Sequence, residues 1–310
     1  MRGQRSEVSS QRSAVRGQPR TLITRHSSLR VSAVQSNRPL KSHIAISIIA
    51  PAHNEEENIA PLVREIDAVI ARLGLSYELI IINDGSTDRT LEELRAMVSD
   101  SPALRVLTMK NCPSGRGHGQ SAAFAAGIRA ARGDLIAMLD ADLQNDPGDI
   151  PKMLELMERT DAHMIQGDRT GVRRDTALRR VSSVVSRWFR RVLLADSIRD
   201  CACSTRLIRR DVALRLPLEF RGQHRFMPIT VRDLGLRVVE MPVSHRPRIA
   251  GKAKYGVWNR ALPGLIDCFA VRWMRRRRCP VEYDVVGPPA QVSKGRREAA
   301  SMRPPETLVP

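Results

Sequence analysis

Two aspartates, Asp140 and Asp142, follow the apolar run Leu135–Leu139 and are the residues of this sequence best suited to chemistry. Side chains two residues apart on an extended segment point the same way, so both carboxylates can bind one cation. Mg²⁺ in proteins often binds through one or two carboxylates and completes its shell with substrate phosphates. The pair therefore predicts a metal-bridged nucleotide, although an acidic pair alone also occurs in turns and helix caps.

The elements that must position this pair repeat in the order strand, loop, helix. Short apolar runs predict four strands, at Ile44–Ala50, Tyr77–Ile82, Leu104–Met109 and Leu135–Leu139. Helical periodicity follows each of the first three strands. Such a repeat implies right-handed crossovers and an α/β fold, a Rossmann-like and mainly parallel sheet with helices on both faces.

Three acidic loops, at residues 54–57, 84–88 and 140–146, each follow a predicted strand. Because the carboxyl ends of parallel strands lie at one edge of a sheet, where ligands of such sheets bind, we expect the three loops to gather there. This clustering favours the nucleotide hypothesis more strongly than any one motif does.

The composition of the chain limits the classes of partner that it is expected to bind. The 310 residues carry a formal net charge of +18, and residues 1–42 hold eight Arg and one Lys against a single Glu, about +8 of that surplus. A basic surface attracts nucleic acid, anionic membranes or phosphorylated substrates. An aromatic content of 4% leaves few stacking platforms, which disfavours a nucleic-acid-binding module. Five cysteines without paired spacing indicate a reducing compartment.

Two further segments allow two interpretations each. The Arg-rich stretch from 173 to 191 lies on an amphipathic helix whose cations either bind phosphate or form a solvated face. Residues 257–274 carry an apolar stripe followed by Arg275–Arg278. This stripe is too short and too interrupted to cross a bilayer, which needs about 20 apolar residues. It suits either a helix lying at a membrane interface or an ordinary helix packed on the core.

The motifs taken together resemble those of family-2 inverting glycosyltransferases, in particular the dolichol-phosphate or polyprenyl-phosphate mannosyltransferase branch. The matching strings are Pro51-Ala-His-Asn-Glu-Glu-Glu-Asn58, Asp84-Gly-Ser-Thr-Asp88, Asp140-Ala-Asp-Leu-Gln-Asn-Asp-Pro147, His224-Arg-Phe-Met-Pro228, His245-Arg-Pro-Arg248 and Gly251-Lys-Ala-Lys-Tyr-Gly256. The similarity runs from about Ile44 to Arg278. It departs from the family pattern in the longer glycine loop 113–120 and around Cys203-Ser-Thr-Arg206.

The resemblance implies a single GT-A domain and assigns roles by motif position. Three residues would be catalytic, namely Asp140, Asp142 and Arg225. The nucleotide-sugar donor would bind Pro51, Ala52, Asn54, Glu55, Asp84, Gln144, Lys252 and Lys254. The metal, Mg²⁺ or Mn²⁺, would be held by Asp140, Asp142 and Gln144. The acceptor phosphate would meet Arg169 together with Arg179 or Arg180.

The function implied is transfer of a hexose, mannose from GDP-mannose, from a nucleotide-diphosphate sugar to a polyprenyl phosphate with inversion. The alternatives are another donor, such as UDP-glucose or a UDP-N-acetylhexosamine, a saccharide acceptor in cell-envelope polysaccharide synthesis, and a catalytically dead scaffold. A polyprenyl phosphate is already ionised, so the absence of an evident general base is consistent with that acceptor.

The predicted organisation has four parts: a disordered basic tail at 1–42, a GT-A domain at 43–250, an amphipathic membrane-interface segment at 251–280 and a disordered tail at 281–310. The tail at 1–42 resembles a transit peptide, and a misassigned start explains it equally well. We expect a peripheral protein at the cytoplasmic face of the membrane, with a membrane-embedded partner as one way of reaching it, and no nucleic-acid partner.

Overall fold

The computed structural model describes residues 44–171, 177–247 and 258–279, and within these ranges the side chains at 177–183, 185–186 and 258–262 are outside the description. The strands found there are β1 (Ile46–Ala52), β2 (Tyr77–Asn83), β3 (Leu104–Thr108), β4 (Leu135–Met138), β5 (Met164–Asp168), β6 (Arg206–Arg209) and β7 (Val238–Pro242). The helices are α1 (Ile59–Ala71), α2 (Thr90–Asp100), α3 (Gln120–Ala130), α4 (Ile150–Thr160), α5 (Ala177–Leu194), α6 (Arg210–Ala213), α7 (Met227–Asp233) and α8 (Trp258–Arg277).

The strands form one sheet in the order β3-β2-β1-β4-β6-β5-β7. Neighbouring strands run parallel except at β6, which is antiparallel to both β4 and β5. Along β1, Ile46 pairs with Tyr77 of β2 and with Leu135 of β4. The predicted fold class, a mainly parallel sheet with helices, is confirmed.

The sheet is covered on both faces, as the continuous apolar strands predicted. Alternate side chains of a strand point to opposite faces, and β1 shows this division. Ile48 and Ala50 join one buried cluster with residues of α1 and α4 such as Leu62. Ile49 joins the other cluster, which includes Phe124 of α3.

Helix α1 illustrates how local sequence sets an element. Its buried residues recur at three- and four-residue spacing, so one face of the helix packs on the sheet. They are Ile59, Leu62, Val63, Ile66 and Ile70. Gly74 follows the helix with a φ of +63°, a left-handed conformation that glycine adopts without steric cost.

Helices α5 and α8 pack against one another and share a small apolar cluster that includes Leu194, Phe226, Cys268 and Val271. Their outward faces are apolar as well. The exposed residues, each 54–63% accessible, are Val184, Trp188 and Val192 of α5 and Ile266, Phe269 and Trp273 of α8. Helix α8 therefore packs on the core through Cys268 and Val271, while Ile266, Phe269 and Trp273 of its predicted stripe are exposed. Its position at a membrane interface stays a prediction.

Among the described helices, none has the length and apolar content that crossing a bilayer requires. Residues 1–42 and 281–310, predicted as disordered tails, lie outside the described part, as do residues 248–257, which include the predicted boundary between 250 and 251.

Candidate active site

The loops that follow β1 and β2 are joined by hydrogen bonds at the carboxyl edge of the sheet. The side-chain oxygen of Asn54 accepts from the backbone N–H of Thr87 at 2.7 Å. The backbone N–H of Glu55 donates to Thr90 Oγ1 at 2.8 Å, and the Glu55 carboxylate accepts from Asn58 Nδ2 at 2.7 Å. The first two predicted acidic loops therefore lie together.

Asp84 ties this edge to the glycine-rich loop before α3. Its backbone N–H donates to the carbonyl of Ala52, which follows Pro51 at the end of β1. Its buried carboxylate accepts from the backbone N–H groups of His118 at 2.8 Å and Gly119 at 2.7 Å. The glycine-rich loop 113–120, which departs from the family pattern, therefore contacts Asp84, a residue predicted to bind the donor.

Asp140 lies just beyond β4 with both carboxylate oxygens hydrogen-bonded. Gln120 Nε2 donates to Oδ1 at 2.6 Å, and the Ser204 hydroxyl donates to Oδ2. The backbone N–H of Asp140 donates to Asn145 Oδ1 at 2.8 Å, and Asn145 in turn donates to Thr205 Oγ1 at 2.8 Å. Residues far apart in sequence therefore fix the position of this carboxylate.

The segment from Asp140 to Gln144 is a turn, which corrects the extended geometry used to predict it, because β4 ends at Met138. Leu143 has a φ of +59° and is buried, so the chain bends here with an apolar side chain directed inward. Asp142 is nearly buried, and its Oδ1 accepts from the backbone N–H of Gln144 at 3.3 Å.

The two aspartates remain close enough to interact electrostatically. Burial raises the pKa of Asp140 to about 6, and the negative charge of Asp142 adds to the increase. The hydrogen bond from Ser204 and the positive charges of Arg169 and Arg206 act in the opposite direction. Burial and a neighbouring like charge both disfavour the ionised form of a carboxylate, whereas a bound cation would favour it.

Arg206 supplies one of these positive charges from inside the sheet. It lies on β6 opposite Met138 and is 1% exposed. Its guanidinium donates to neutral acceptors, namely Gln166 Oε1 at 2.8 Å, the Cys201 carbonyl at 2.8 Å and the Met227 sulfur at 3.3 Å. Burial lowers the pKa of Arg206.

The donor set fits Mg²⁺ or Mn²⁺. Asp140, Asp142 and Gln144 offer hard oxygen ligands, and a carboxylate oxygen that accepts one hydrogen bond keeps a second lone pair. No group of three or more His, Cys, Asp or Glu side chains able to enclose a metal occurs in the described residues. A small hard cation that takes part of its shell from phosphates needs no such group, so these residues would form one side of the site.

Arg169 was assigned to the acceptor phosphate, and the structure places it in a buried ion pair. Its Nε donates to Asp200 Oδ2 at 2.8 Å and its Nη2 donates to Asp200 Oδ1 at 3.2 Å. This bidentate geometry uses two of the five N–H donors of the guanidinium. Because its charge acts on Asp140, Arg169 lies near the acidic pair, and its role at the acceptor phosphate stays a prediction.

Arg225 lies on the short turn Gln223–Arg225 beside α8. Its Nη1 is 3.5 Å from the position that a Cβ on Gly264 would occupy, and its charge acts on Asp267 of the same helix. The neighbouring His224 Nδ1 lies 2.8 Å from Ser121 Oγ at the start of α3. The structure therefore brings Arg225 to α8, and its catalytic role stays a prediction.

Four other predicted residues cannot be placed in the site. Lys252 and Lys254 lie outside the described residues, as do the side chains of Arg179 and Arg180 on α5.

Gln120 and Ser204 were missed as site residues. Gln120 is the last residue of the glycine-rich loop 113–120, and its place in that loop was the available sequence signal for a role in the site. Ser204 is 64 residues from Asp140, and no spacing in the sequence links the two.

Comparison with known proteins identifies the family. The sequence profile described as Glycosyl transferase family 2 matches residues 47–216, more than half of the chain. The chain belongs to this family. The match includes Asp84, Asp140 and Asp142, and it ends before the turn that carries Arg225.

Named glycosyltransferase family 2 relatives act on polyprenyl phosphates. The dodecaprenyl-phosphate galacturonate synthase of Rhizobium johnstonii is 34% identical over 244 residues, which are 78% of this chain and 70% of that protein. The undecaprenyl-phosphate 4-deoxy-4-formamido-L-arabinose transferase of Pseudomonas fluorescens is 33% identical over 220 residues, which are 70% of this chain and 62% of that protein. The chain therefore spans less than two thirds of the Pseudomonas relative.

Solved structures share the GT-A-like fold of glycosyltransferase family 2. Glucosyl-3-phosphoglycerate synthase from Mycobacterium tuberculosis, in complex with Mn²⁺, UDP and glucosyl-3-phosphoglycerate, superposes with a TM-score of 0.56 at 20% identity, over 74% of this chain and 80% of that one. Mannosyl-3-phosphoglycerate synthase from Rubrobacter xylanophilus gives a TM-score of 0.51 at 16% identity, over 76% and 74%. At these identities the likeness establishes the fold.

Proposed function

We propose that this chain transfers a sugar from a nucleoside-diphosphate donor to a polyprenyl phosphate with inversion, using Mg²⁺ or Mn²⁺. The observation that carries the proposal is the acidic pair Asp140 and Asp142 beyond the carboxyl end of β4. Burial raises the pKa of Asp140, and the neutral side chains of Gln120 and Ser204 donate hydrogen bonds to its carboxylate. The named relatives support the acceptor class, since both act on polyprenyl phosphates.

The chemistry needs little acid–base catalysis. An oxygen of the acceptor phosphate attacks the anomeric carbon, a new carbon–oxygen bond forms, and the bond to the nucleoside diphosphate breaks with both electrons leaving on the diphosphate. The attacking phosphate is ionised near neutral pH, so no side chain has to remove a proton from it. The metal, when bound, would stabilise the negative charge of the departing diphosphate.

The protein residues position the two substrates. We assign the donor nucleotide to the edge formed by Asn54, Glu55 and Asp84, where Asp84 also orders the glycine-rich loop. We assign the acceptor phosphate to Arg169, whose orientation is fixed by Asp200. A cation held in place before the reaction stabilises charge without the cost of reorganisation.

The remaining predicted cations complete this assignment. They are Arg179 and Arg180 for the acceptor, and Arg225, Lys252 and Lys254 for the donor diphosphate.

The identity of the donor sugar is the most specific part of the proposal. The motifs resemble those of mannosyltransferases and support GDP-mannose, whereas the relatives are named for galacturonate and 4-deoxy-4-formamido-L-arabinose. A thermal-shift panel of GDP, UDP and their sugars with Mn²⁺ separates these donors. Stabilisation by GDP and GDP-mannose alone would support mannose, and stabilisation by UDP compounds alone would reject it.

We propose that the protein binds its lipid acceptor at a membrane surface. Helices α5 and α8 expose apolar residues that include Trp188, Phe269 and Trp273, and Arg276 and Arg277 at the end of α8 are exposed beside them. Apolar side chains flanked by cations bind anionic lipid surfaces, with each cation contributing about 1 kcal/mol near the surface. This arrangement supports a peripheral position at a membrane, and we propose the cytoplasmic face, reached alone or with a membrane-embedded partner.

The test of the proposed function is transfer of radiolabelled sugar from the donor that binds to a short polyprenyl phosphate, with the full chain and Mn²⁺. We expect label to move into the organic phase, and to do so only when both the lipid phosphate and the metal are present. The same chain with an unphosphorylated polyprenol is the matched acceptor control. Label that stays in water, or that appears on an added saccharide instead, would reject the lipid acceptor.

A further inference from the structure

Two neutral side chains clasp the carboxylate of Asp140 from different parts of the fold. Gln120 is the first residue of α3, and Ser204 lies in the loop that precedes β6. Gln120 Nε2 is 2.6 Å from Asp140 Oδ1 and 3.4 Å from Ser204 Oγ, while the Ser204 hydroxyl donates to Oδ2. The three side chains therefore form a closed arrangement that we call the Asp140 clasp.

The clasp fixes the orientation of the carboxylate and leaves it able to bind a cation. One donor on each oxygen prevents rotation of the carboxylate about its Cβ–Cγ bond. Each oxygen accepts about two hydrogen bonds or ligand contacts, so one position on each oxygen remains for a metal. Gln120 and Ser204 carry no charge, and an arginine or lysine in either place would compete with the metal for Asp140.

The loop that supplies Ser204 also orders the neighbouring groups. Asp200 holds Arg169 through two hydrogen bonds, and Thr205 accepts a hydrogen bond from Asn145, which binds the backbone of Asp140. Residues 200–205 are thus in contact with both the metal side and the acceptor side of the proposed site.

We propose that Gln120 and Ser204 are positioning residues that hold Asp140 in its metal-binding orientation, an inference that rests on the metal-dependent function proposed above. Hydrogen-bond partners of a metal ligand orient it and pre-organise the site, and removal of such a partner typically weakens metal binding by about 10–100-fold. Because Ser204 is buried and its hydroxyl donates to Asp140, an effect on metal binding has to be measured separately from an effect on stability.

The test uses Ser204→Ala, with Ser204→Thr as the conservative variant that keeps the hydroxyl. The matched control is Ser101→Ala, because Ser101 is also buried and its hydroxyl has no hydrogen-bond partner among the described residues. Mn²⁺ is the probe, and its dissociation constant for the full chain is measured from the electron paramagnetic resonance signal of unbound Mn²⁺. The urea midpoint without metal reports the stability of each variant.

We expect Ser204→Ala to raise the dissociation constant for Mn²⁺ by about tenfold or more, with Ser204→Thr and Ser101→Ala close to the wild type. Gln120→Ala should weaken binding in the same direction. Mn²⁺ binding by the wild type with an unchanged constant in Ser204→Ala would overturn the positioning role alone, including the case in which only the urea midpoint falls. A wild type that binds no Mn²⁺, either alone or with GDP or UDP present, would overturn the metal-dependent function as well.

Discussion

Gly117 lies against Asp84 with no room for a side chain. A Cβ on Gly117 would come within 2.6 Å of the Asp84 carboxylate, and the backbone there has a φ of +61°. The glycine-rich loop can therefore approach the second strand and present the N–H groups of His118 and Gly119 to Asp84 only with glycine at this position. This contact explains why the loop, although longer than in the family pattern, still meets the predicted donor site.

Gly117→Ala should consequently destabilise the protein and disturb the donor site. We expect the free energy of unfolding to fall by about 2–3 kcal/mol, since overpacking costs about 1–3 kcal/mol and the left-handed backbone adds to it. Gly115→Ala is the matched control, because Gly115 has a φ of +67° and no atom near its Cβ position. Urea unfolding measures both, and equal losses in the two variants would contradict the contact with Asp84.

Asp142→Asn should abolish sugar transfer while leaving the fold intact. The charge of Asp142 raises the pKa of Asp140, so the substitution removes a repulsion from the apo protein and a ligand from the metal. We expect a loss of transfer of at least about 100-fold with a thermal midpoint equal to or above that of the wild type. The assay is transfer in Mn²⁺ beside a thermal melt without metal, and normal turnover would remove Asp142 from the metal site.

Glu78 should make the stability of the protein depend on pH. It is 3% exposed on β2 and accepts hydrogen bonds from Ser47 Oγ at 2.7 Å, from the backbone N–H of Arg132 at 2.6 Å, and from Arg105. Burial alone would raise the pKa of Glu78, but these donors together lower it.

A carboxylate whose pKa is lower in the folded state stabilises the fold above its ordinary pKa of about 4.3, and this stabilisation is lost as the pH falls through the lower folded value. Glu78→Gln should therefore be less stable than the wild type near neutral pH, and the difference should shrink towards about pH 3. Urea midpoints across this range provide the measurement. A difference that does not change with pH would show that Glu78 acts through packing alone.

The exposed stripe of α8 should govern binding to lipid. We expect replacement of Ile266, Phe269 and Trp273 by Ser to weaken association with anionic vesicles by at least about tenfold, because each exposed apolar side chain would otherwise leave water. Val98→Ser on α2 removes an exposed apolar residue, 45% accessible, from another surface and is the control. Co-sedimentation with vesicles measures the effect, and equal binding of the triple variant and the wild type would favour a purely structural role for α8.

The part of the fold that local sequence determines was predicted well. The first four strands were each found within a few residues, and a helix follows each of the first three, because apolar runs and helical periodicity are local features of the sequence. The prediction that the loops carrying Asn54, Asp84 and Asp140 gather at one edge of the sheet was also correct, since β2, β1 and β4 lie side by side.

The part that depends on long-range pairing was not predictable. Strand β6 has four residues and lies antiparallel between β4 and β5. No local sequence pattern predicts this position or direction. This pairing, with Arg206 opposite Met138, brings Ser204 to Asp140. The ion pair of Arg169 with Asp200 and the position of Arg225 beside α8 likewise depend on contacts across the chain.

The guanidinium of Arg206 is sealed in the sheet with its hydrogen bonds directed to neutral acceptors, and its charge is therefore left to act on the acidic edge above it. The scaffold thus contributes a permanent internal counterion to Asp140. Under the proposed function, this charge would offset part of the repulsion from Asp142 once the cation and the nucleotide have left the site.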